Sequence, residues 1–140
     1  LNYLLDTNVV SEWIKPRPDA GVIKWLAEAD EDRVFLSVVT LAEVRYGIER
    51  MPAGARRNRL SSWLRNEVTE RFASRILPVD PSVSEVWGQL LARTQAVGRT
   101  LGIMDGFVSA TAEVHEMTVV TRNVTHFRDL GHPIFNPWIE

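Results

Sequence analysis

Cysteine is missing from this 140-residue chain, which rules out thiol nucleophiles, disulfides and cysteine-held metal centres. Long apolar runs are missing too. No stretch approaches the ~20 residues of a membrane-spanning helix and no signal-peptide pattern opens the sequence, so the expectation is a cytoplasmic chain with no membrane association. Histidine is scarce, at three residues; His115, His126 and His132 have no metal-binding spacing and are expected in loop or surface roles. There is no G-x-S-x-G elbow, no G-x-x-x-x-G-K-[ST] phosphate loop and no G-x-G-x-x-G fingerprint. Positive charge is not in excess either. A net charge of -2 and a pI near 6.0 argue against a generic polyanion binder.

The charge that is present is unevenly placed. "EADED" at 28–32 is acidic, whereas residues 53–75 carry six arginines against two glutamates. One region is thus suited to a polyanion while another is not, with Arg45, Arg56, Arg57 and Arg59 as candidate phosphate contacts; a solvated helix face is the equally weighted alternative. Of the tryptophans, Trp25 and Trp87 fit apolar helical faces and are expected in the core. Trp63, flanked by arginines, stays open between packing and base stacking.

The length suits one domain spanning 1–140, burying roughly two thirds of its unfolded surface. Apolar or β-branched runs recur at 2–6, 34–37, 75–79, 118–121 and 133–135. They lack polar alternation and are separated by helical stretches, which predicts an α/β domain with a mostly parallel sheet covered on both faces. Thr40 with Glu43 and Ser82 with Glu85 have capping-box spacing. Leu60, Trp63, Leu64, Val68 and Phe72 predict an amphipathic helix over 55–73, and a second periodic stretch over 83–97 ends at Gly98.

In such a sheet the carboxyl ends of the strands share one edge, where ligands bind. Asp6 ends the first run, Glu43 lies one turn into the helix after the second, Asp105 opens a helix at "MDGFVSATAEVH", and Asn123 follows the fourth. All four are expected at that edge. Each also has a structural explanation: Glu43 completes a capping box, Asp105 complements a helix N-terminus, and Asp6, Thr7 or Asn8 caps the helix beginning near Val9. Together they point to chemistry. Three carboxylates ~4 Å apart at an effective dielectric of ~20 would repel by about 12 kcal/mol in all, comparable to the roughly 5–15 kcal/mol stability of a domain. A cluster of this kind needs raised pKa values or a cation. Oxygen donors without cysteine suit Mg2+ or Mn2+ better than zinc, and such an ion activates water against a phosphodiester.

At these residues the chain resembles a known family. "LLDTNVVSEWIK", "LSVVTLAEVRYGIER", "GIMDGFVSATAEVHEMTVVTRNVTHF" and the closing "FNPW" are similar, in this order and over almost the whole length, to PIN-domain ribonucleases. Within them the match is to the VapC toxins and their FitB-like branch. The resemblance implies a single-domain Rossmann-like α/β fold, with a five-stranded parallel sheet flanked by helices. It implies a Mg2+- or Mn2+-dependent endoribonuclease acting through a metal-activated water, as the toxin of a type II toxin–antitoxin pair. Asp6, Glu43 and Asp105 correspond to the metal-binding acids, and Asn123 falls where the family has a fourth acid. An amide brings no charge there, so a second ion should bind more weakly. Thr7, Asn8 and Thr121 sit beside the acids as hydrogen-bonding supports, with ordinary caps as the alternative. The implied partners are RNA, a cognate VapB-like antitoxin and a second copy in a homodimer, extended to a higher assembly with antitoxin.

Two rivals stand beside this reading. A phosphomonoesterase would also use a strand-terminal aspartate, but it needs a second Asp two residues on, where this chain has Asn8. A catalytically degenerate RNA- or antitoxin-binding module is the other, with Asn123 as its only hint.

Overall fold

Each of the five runs becomes a strand: β1 (Tyr3–Leu5), β2 (Val34–Ser37), β3 (Ile76–Leu77), β4 (Thr118–Val120) and β5 (Ile134–Phe135). In the computed structural model, which describes residues 1–139, they make one sheet in the order β3-β2-β1-β4-β5, with every neighbouring pair parallel. The helices between them are α1 (Thr7–Trp13), α2 (Ala20–Glu28), α3 (Val38–Glu49), α4 (Ala55–Ser62), α5 (Thr69–Arg71), α6 (Pro81–Ala96), α7 (Ile103–His115) and α8 (Val124–Phe127). None of the described helices is long and apolar enough to cross a membrane.

Strand periodicity sorts the core into two layers. Leu5, Val34, Leu36 and Val120 pack on one face with Val9, Val22, Val44 and Phe72, while Leu4 and Val119 pack on the other with Val108, Ala112 and Phe127. With both faces covered, the strands dispense with polar alternation. Trp25 contacts Tyr3 and Phe135, and Trp87 stacks on Phe107 with centroids 4.8 Å apart. Both tryptophans are packing residues, as expected. Trp63 packs edge-on against Trp13 beside the first layer, so its ring is engaged within the fold.

The helix starts differ from the capping-box expectation. Ser37, the last residue of β2, caps α3 by accepting from the Val39 N–H, and the Thr40 hydroxyl donates instead to the Leu5 carbonyl. Asp80, not Ser82, caps α6, because Pro81 takes the first helical position, which needs no N–H donor. The helix expected over 55–73 is continuous but changes pitch: Trp63–Val68 is π-helical between α4 and α5. Gly98, at φ 74°, follows α6 as expected.

The strand order defines the functional edge. From β1 the chain steps outward to β2 and β3, then crosses to the other side of β1 for β4 and β5. That reversal opens a crevice at the carboxyl ends of β1 and β4, the switch point where open α/β sheets bind ligands.

Candidate active site

Asp6 and Thr121 sit directly above the switch point, as the first residues after β1 and β4. The Asp6 N–H continues the sheet by donating to the Val120 carbonyl at 3.0 Å. Its side chain is 4% exposed. One carboxylate oxygen, Oδ1, caps α1 by accepting from the Thr7 N–H at 2.8 Å, so the helix starts at Thr7 and not near Val9. Asp6 therefore fills the structural role and remains a chemical candidate, since Oδ2 turns to a second set of partners.

That set is built from Thr121 and Asn8. Oδ2 accepts from the Thr121 hydroxyl at 2.8 Å and from Asn8 Nδ2 at 3.2 Å. Thr121 Oγ1 in turn accepts from Asn8 Nδ2 at 3.2 Å and from the Asn123 N–H at 3.0 Å. A hydroxyl has one hydrogen and two lone pairs, so with both lone pairs used its hydrogen belongs to Asp6. Asn8 Oδ1 accepts from the Arg122 N–H at 3.3 Å, closing the loop between β1 and β4. Thr7 reaches the other way, its hydroxyl donating to Glu43 Oε1 at 2.7 Å. Freed from the expected capping box, Glu43 is held by the first loop instead of by its own helix.

Burial pushes the Asp6 carboxyl up to about 6, against the Thr121 and Thr7 hydrogen bonds, with the charges of Asp105 and Glu43 raising it further. The three acids of the sequence reading thus share one electrostatic environment. They are not gathered into a ready-made metal centre: among the described residues, no group of three or more acidic or histidine side chains is placed to hold an ion. Asp105, in the first turn of α7, instead accepts from His126 Nδ1, 3.1 Å from its Oδ2. Asn123 is exposed at the N-cap of α8 and contributes its backbone N–H to Thr121.

The chemistry of this donor set fits a hard divalent ion. All its donors are oxygen, Asp6 is a carboxylate whose burial is not offset by its hydrogen bonds, and the arrangement is open. Mg2+ characteristically takes one or two carboxylates and completes its shell with water and substrate phosphate, so an open set suits it better than a cage. The lysine and arginine ion pairs at Glu12, Asp30, Glu31 and Glu49 lie elsewhere.

The candidate RNA contacts divide. Arg45 donates to Glu49 and to Ser61 Oγ at 2.9 Å, and Arg57 lies 2.6 Å from Glu49, so both brace α3 against α4. Arg56 and Arg59 are exposed on α4. Sequence reasoning missed His126, whose contact with Asp105 joins residues 21 apart. The one signal for it was its place three residues after Asn123, in the turn that follows the same strand edge.

Comparison with known proteins agrees with this fold. The PIN domain family model matches residues 3–132. The chain is 39% identical over 135 residues to a VapC ribonuclease of Sinorhizobium fredii, covering 96% of each chain. It is 37% identical over 135 residues to toxin FitB of Neisseria gonorrhoeae, covering 96% of this chain and 97% of that one. The crystal structure of FitAcB from Neisseria gonorrhoeae superposes with a TM-score of 0.93 at 36% identity, covering 99% of both chains.

Proposed function

The chain belongs to the PIN-domain family, and from that premise we propose that it is the ribonuclease toxin of a toxin–antitoxin pair, an endoribonuclease that hydrolyses RNA phosphodiesters in the cytoplasm. Its relatives carry the names VapC ribonuclease and toxin FitB, and its structural neighbours are toxin–antitoxin complexes, some of them bound to DNA. An antitoxin of that kind is its partner, and a second copy of the chain completes the assembly. The observation that supports the reading is that the charges of Asp105 and Glu43 both act on the buried Asp6 carboxyl above the β1/β4 switch point, with Thr7 bonded to both Asp6 and Glu43.

In this reading Asp6, Glu43 and Asp105 hold Mg2+ or Mn2+. When bound, such an ion supplies Lewis-acid polarisation of a phosphoryl oxygen and a more acidic water. The chain's own residues set up that chemistry. Thr121 and Asn8 fix the Asp6 carboxylate, as hydrogen bonds beyond the ligands do at metal sites. Thr7 couples the first loop to Glu43, so the acid that follows β1 and the acid of α3 are joined through one residue. Asn123 keeps the fourth position polar without adding charge, and Arg56 and Arg59 offer phosphate contacts that position RNA without reading its bases.

The test is Mn2+ titration and RNA cleavage on the antitoxin-free protein, comparing wild type with Asp6→Asn and Asp105→Asn. Folded variants that lose both Mn2+ uptake and cleavage are expected. Cleavage by both variants at the wild-type rate would sink the mechanism. A wild type that binds RNA, takes up no Mn2+ and cuts nothing would replace it with the binding-module reading.

A further inference from the structure

His126 is exposed at the surface, as expected, yet it is not unattached. Its Nδ1 lies 3.1 Å from Asp105 Oδ2, and its side chain is 54% exposed against 26% for Asp105. A half-exposed side chain on a surface turn would ordinarily be free to wander, but this turn is held from both sides. Phe127, the next residue, is fully buried in the second core layer. From outside, the Arg99 guanidinium gathers three carbonyls of the same turn: Arg128 at 2.5 Å, His126 at 3.0 Å and Thr125 at 3.3 Å. These carbonyls close a four-residue helix that has no continuation to receive them. Arg99 thus fixes the backbone that carries the imidazole, from the loop between α6 and α7.

We propose that His126 is a positioning residue for Asp105: it holds the carboxylate by one oxygen, so that the other is presented toward the ion and the substrate phosphate. This rests on the reading of Asp105 as a metal ligand. A carboxylate oxygen accepts and cannot donate, so the shared hydrogen sits on His126 Nδ1, and in the neutral ring Nε2 is then an acceptor. Oδ2 is thereby occupied in the first turn of α7, where Gly102 supplies no side-chain cap and a Cβ added to it would stand 3.7 Å from that same oxygen. A cavity of about 330 Å³ lies against the pair, lined by Arg99, Gly102, Asp105, Thr125 and His126. Without the imidazole, Asp105 has space to swing into it. Imidazole–carboxylate contacts of this kind orient ligands at metal sites, and removing such a partner typically weakens metal binding by about 10–100-fold.

The experiment compares the full-length wild type with His126→Ala and His126→Asn, because an asparagine amide sits where Nδ1 does. Mn2+ affinity is read by calorimetry, kcat and KM are read on RNA, and a thermal melt checks the fold. Expected are an alanine variant that melts with the wild type, binds Mn2+ about 10–100-fold more weakly and loses kcat with KM unchanged, and an asparagine variant restored to within a few-fold of wild type. Wild-type Mn2+ affinity in the alanine variant overturns the proposal, as does an asparagine variant no better than alanine. The tautomer separates this proposal from the metal reading. In ¹⁵N spectra of the metal-free protein at pH 8, His126 should carry its hydrogen on Nδ1, and Asp105→Ala should return it to Nε2. A wild-type Nε2–H tautomer overturns the positioning role whatever the metal does, whereas the expected tautomer in a protein that takes up no Mn2+ would condemn only the metal reading.

Discussion

Asp6 concentrates the conflict between stability and function. Its carboxyl titrates near 6 in the folded chain against an ordinary value of 3.8, so folding favours the protonated form. That contribution is complete below about 3.8 and is lost as pH rises through 6, leaving a disfavoured buried anion at neutral pH. Asp6→Asn removes the titration, and the hydrogen bonds it disturbs are lost at every pH. Between pH 4.5 and 7.5, the variant's unfolding free energy should therefore rise by about 2 kcal/mol relative to wild type, measured by urea unfolding in EDTA. Parallel pH profiles would show that Asp6 is not strained. The difference is the proper measure because burial lowers the His132 pKa, which makes folding more favourable as pH rises over an overlapping range. In the sequence, Asp6 was legible as an acid at the end of an apolar run. The partnership of Thr121 with Asn8 was visible only as proximity to the acids, because the hydroxyl's donor, Asn8, and its acceptor, Asp6, lie 113 and 115 residues away.

At the scale of elements, the strands could be read and the helix starts could not. Runs such as "VFLS" have no alternative use in a doubly covered sheet, whereas a serine, threonine or aspartate near a helix start competes with its neighbours for the cap. Ser37 won because β2 passes into α3 without a loop, and Asp80 won because Pro81 fixed the position after it. The π-helical turn was not read from the sequence, although the spacing holds its cause. Leu60, Leu64, Val68 and Phe72 recur every four residues, which in an α-helix drifts by about 40° per step, and the wider turns at 63–68 return the stripe to the core, where Leu64, Val68 and Phe72 are buried. Glycines give this scale its test. A Cβ on Gly21 would meet the Pro137 carbonyl at 2.4 Å and Ile139 Cγ1 at 2.6 Å, whereas one on Gly47, inside α3, would meet nothing within 4 Å. Gly21→Ala should force the closing segment off α2 at a cost of about 1–3 kcal/mol, and Gly47→Ala should stabilise by about 0.5–1 kcal/mol. A Gly21→Ala chain that melts at or above the wild type would contradict the packing of that segment, and a Gly47→Ala chain that melts lower would contradict the open room at that position.

For the whole molecule the problem is bringing a polyanion to an acidic edge on a chain of net charge -2. Long-range attraction must come from a subset of the cations, and the structure separates that subset from the rest. Arg45 and Arg57 share Glu49, which cancels one of their two charges, and their removal should loosen the contact of α3 with α4. Arg56 and Arg59 are exposed on α4 and remain available to phosphates. The arginine content of 53–75 was plain in the sequence; which of the arginines were already committed was not, because that depends on how α4 folds back along α3. If Arg56 and Arg59 each neutralise one phosphate, the double variant Arg56→Ala/Arg59→Ala should flatten the dependence of log K for single-stranded RNA on log salt by about 1.4. It should raise KM across RNA sequences alike, with kcat and Mn2+ affinity unchanged. Arg45→Ala should behave in the opposite way, lowering the melting temperature while leaving the salt slope in place. An unchanged slope in the double variant would move the RNA path off α4, and a flattened slope in Arg45→Ala would mean that the Glu49 pairs open when RNA arrives.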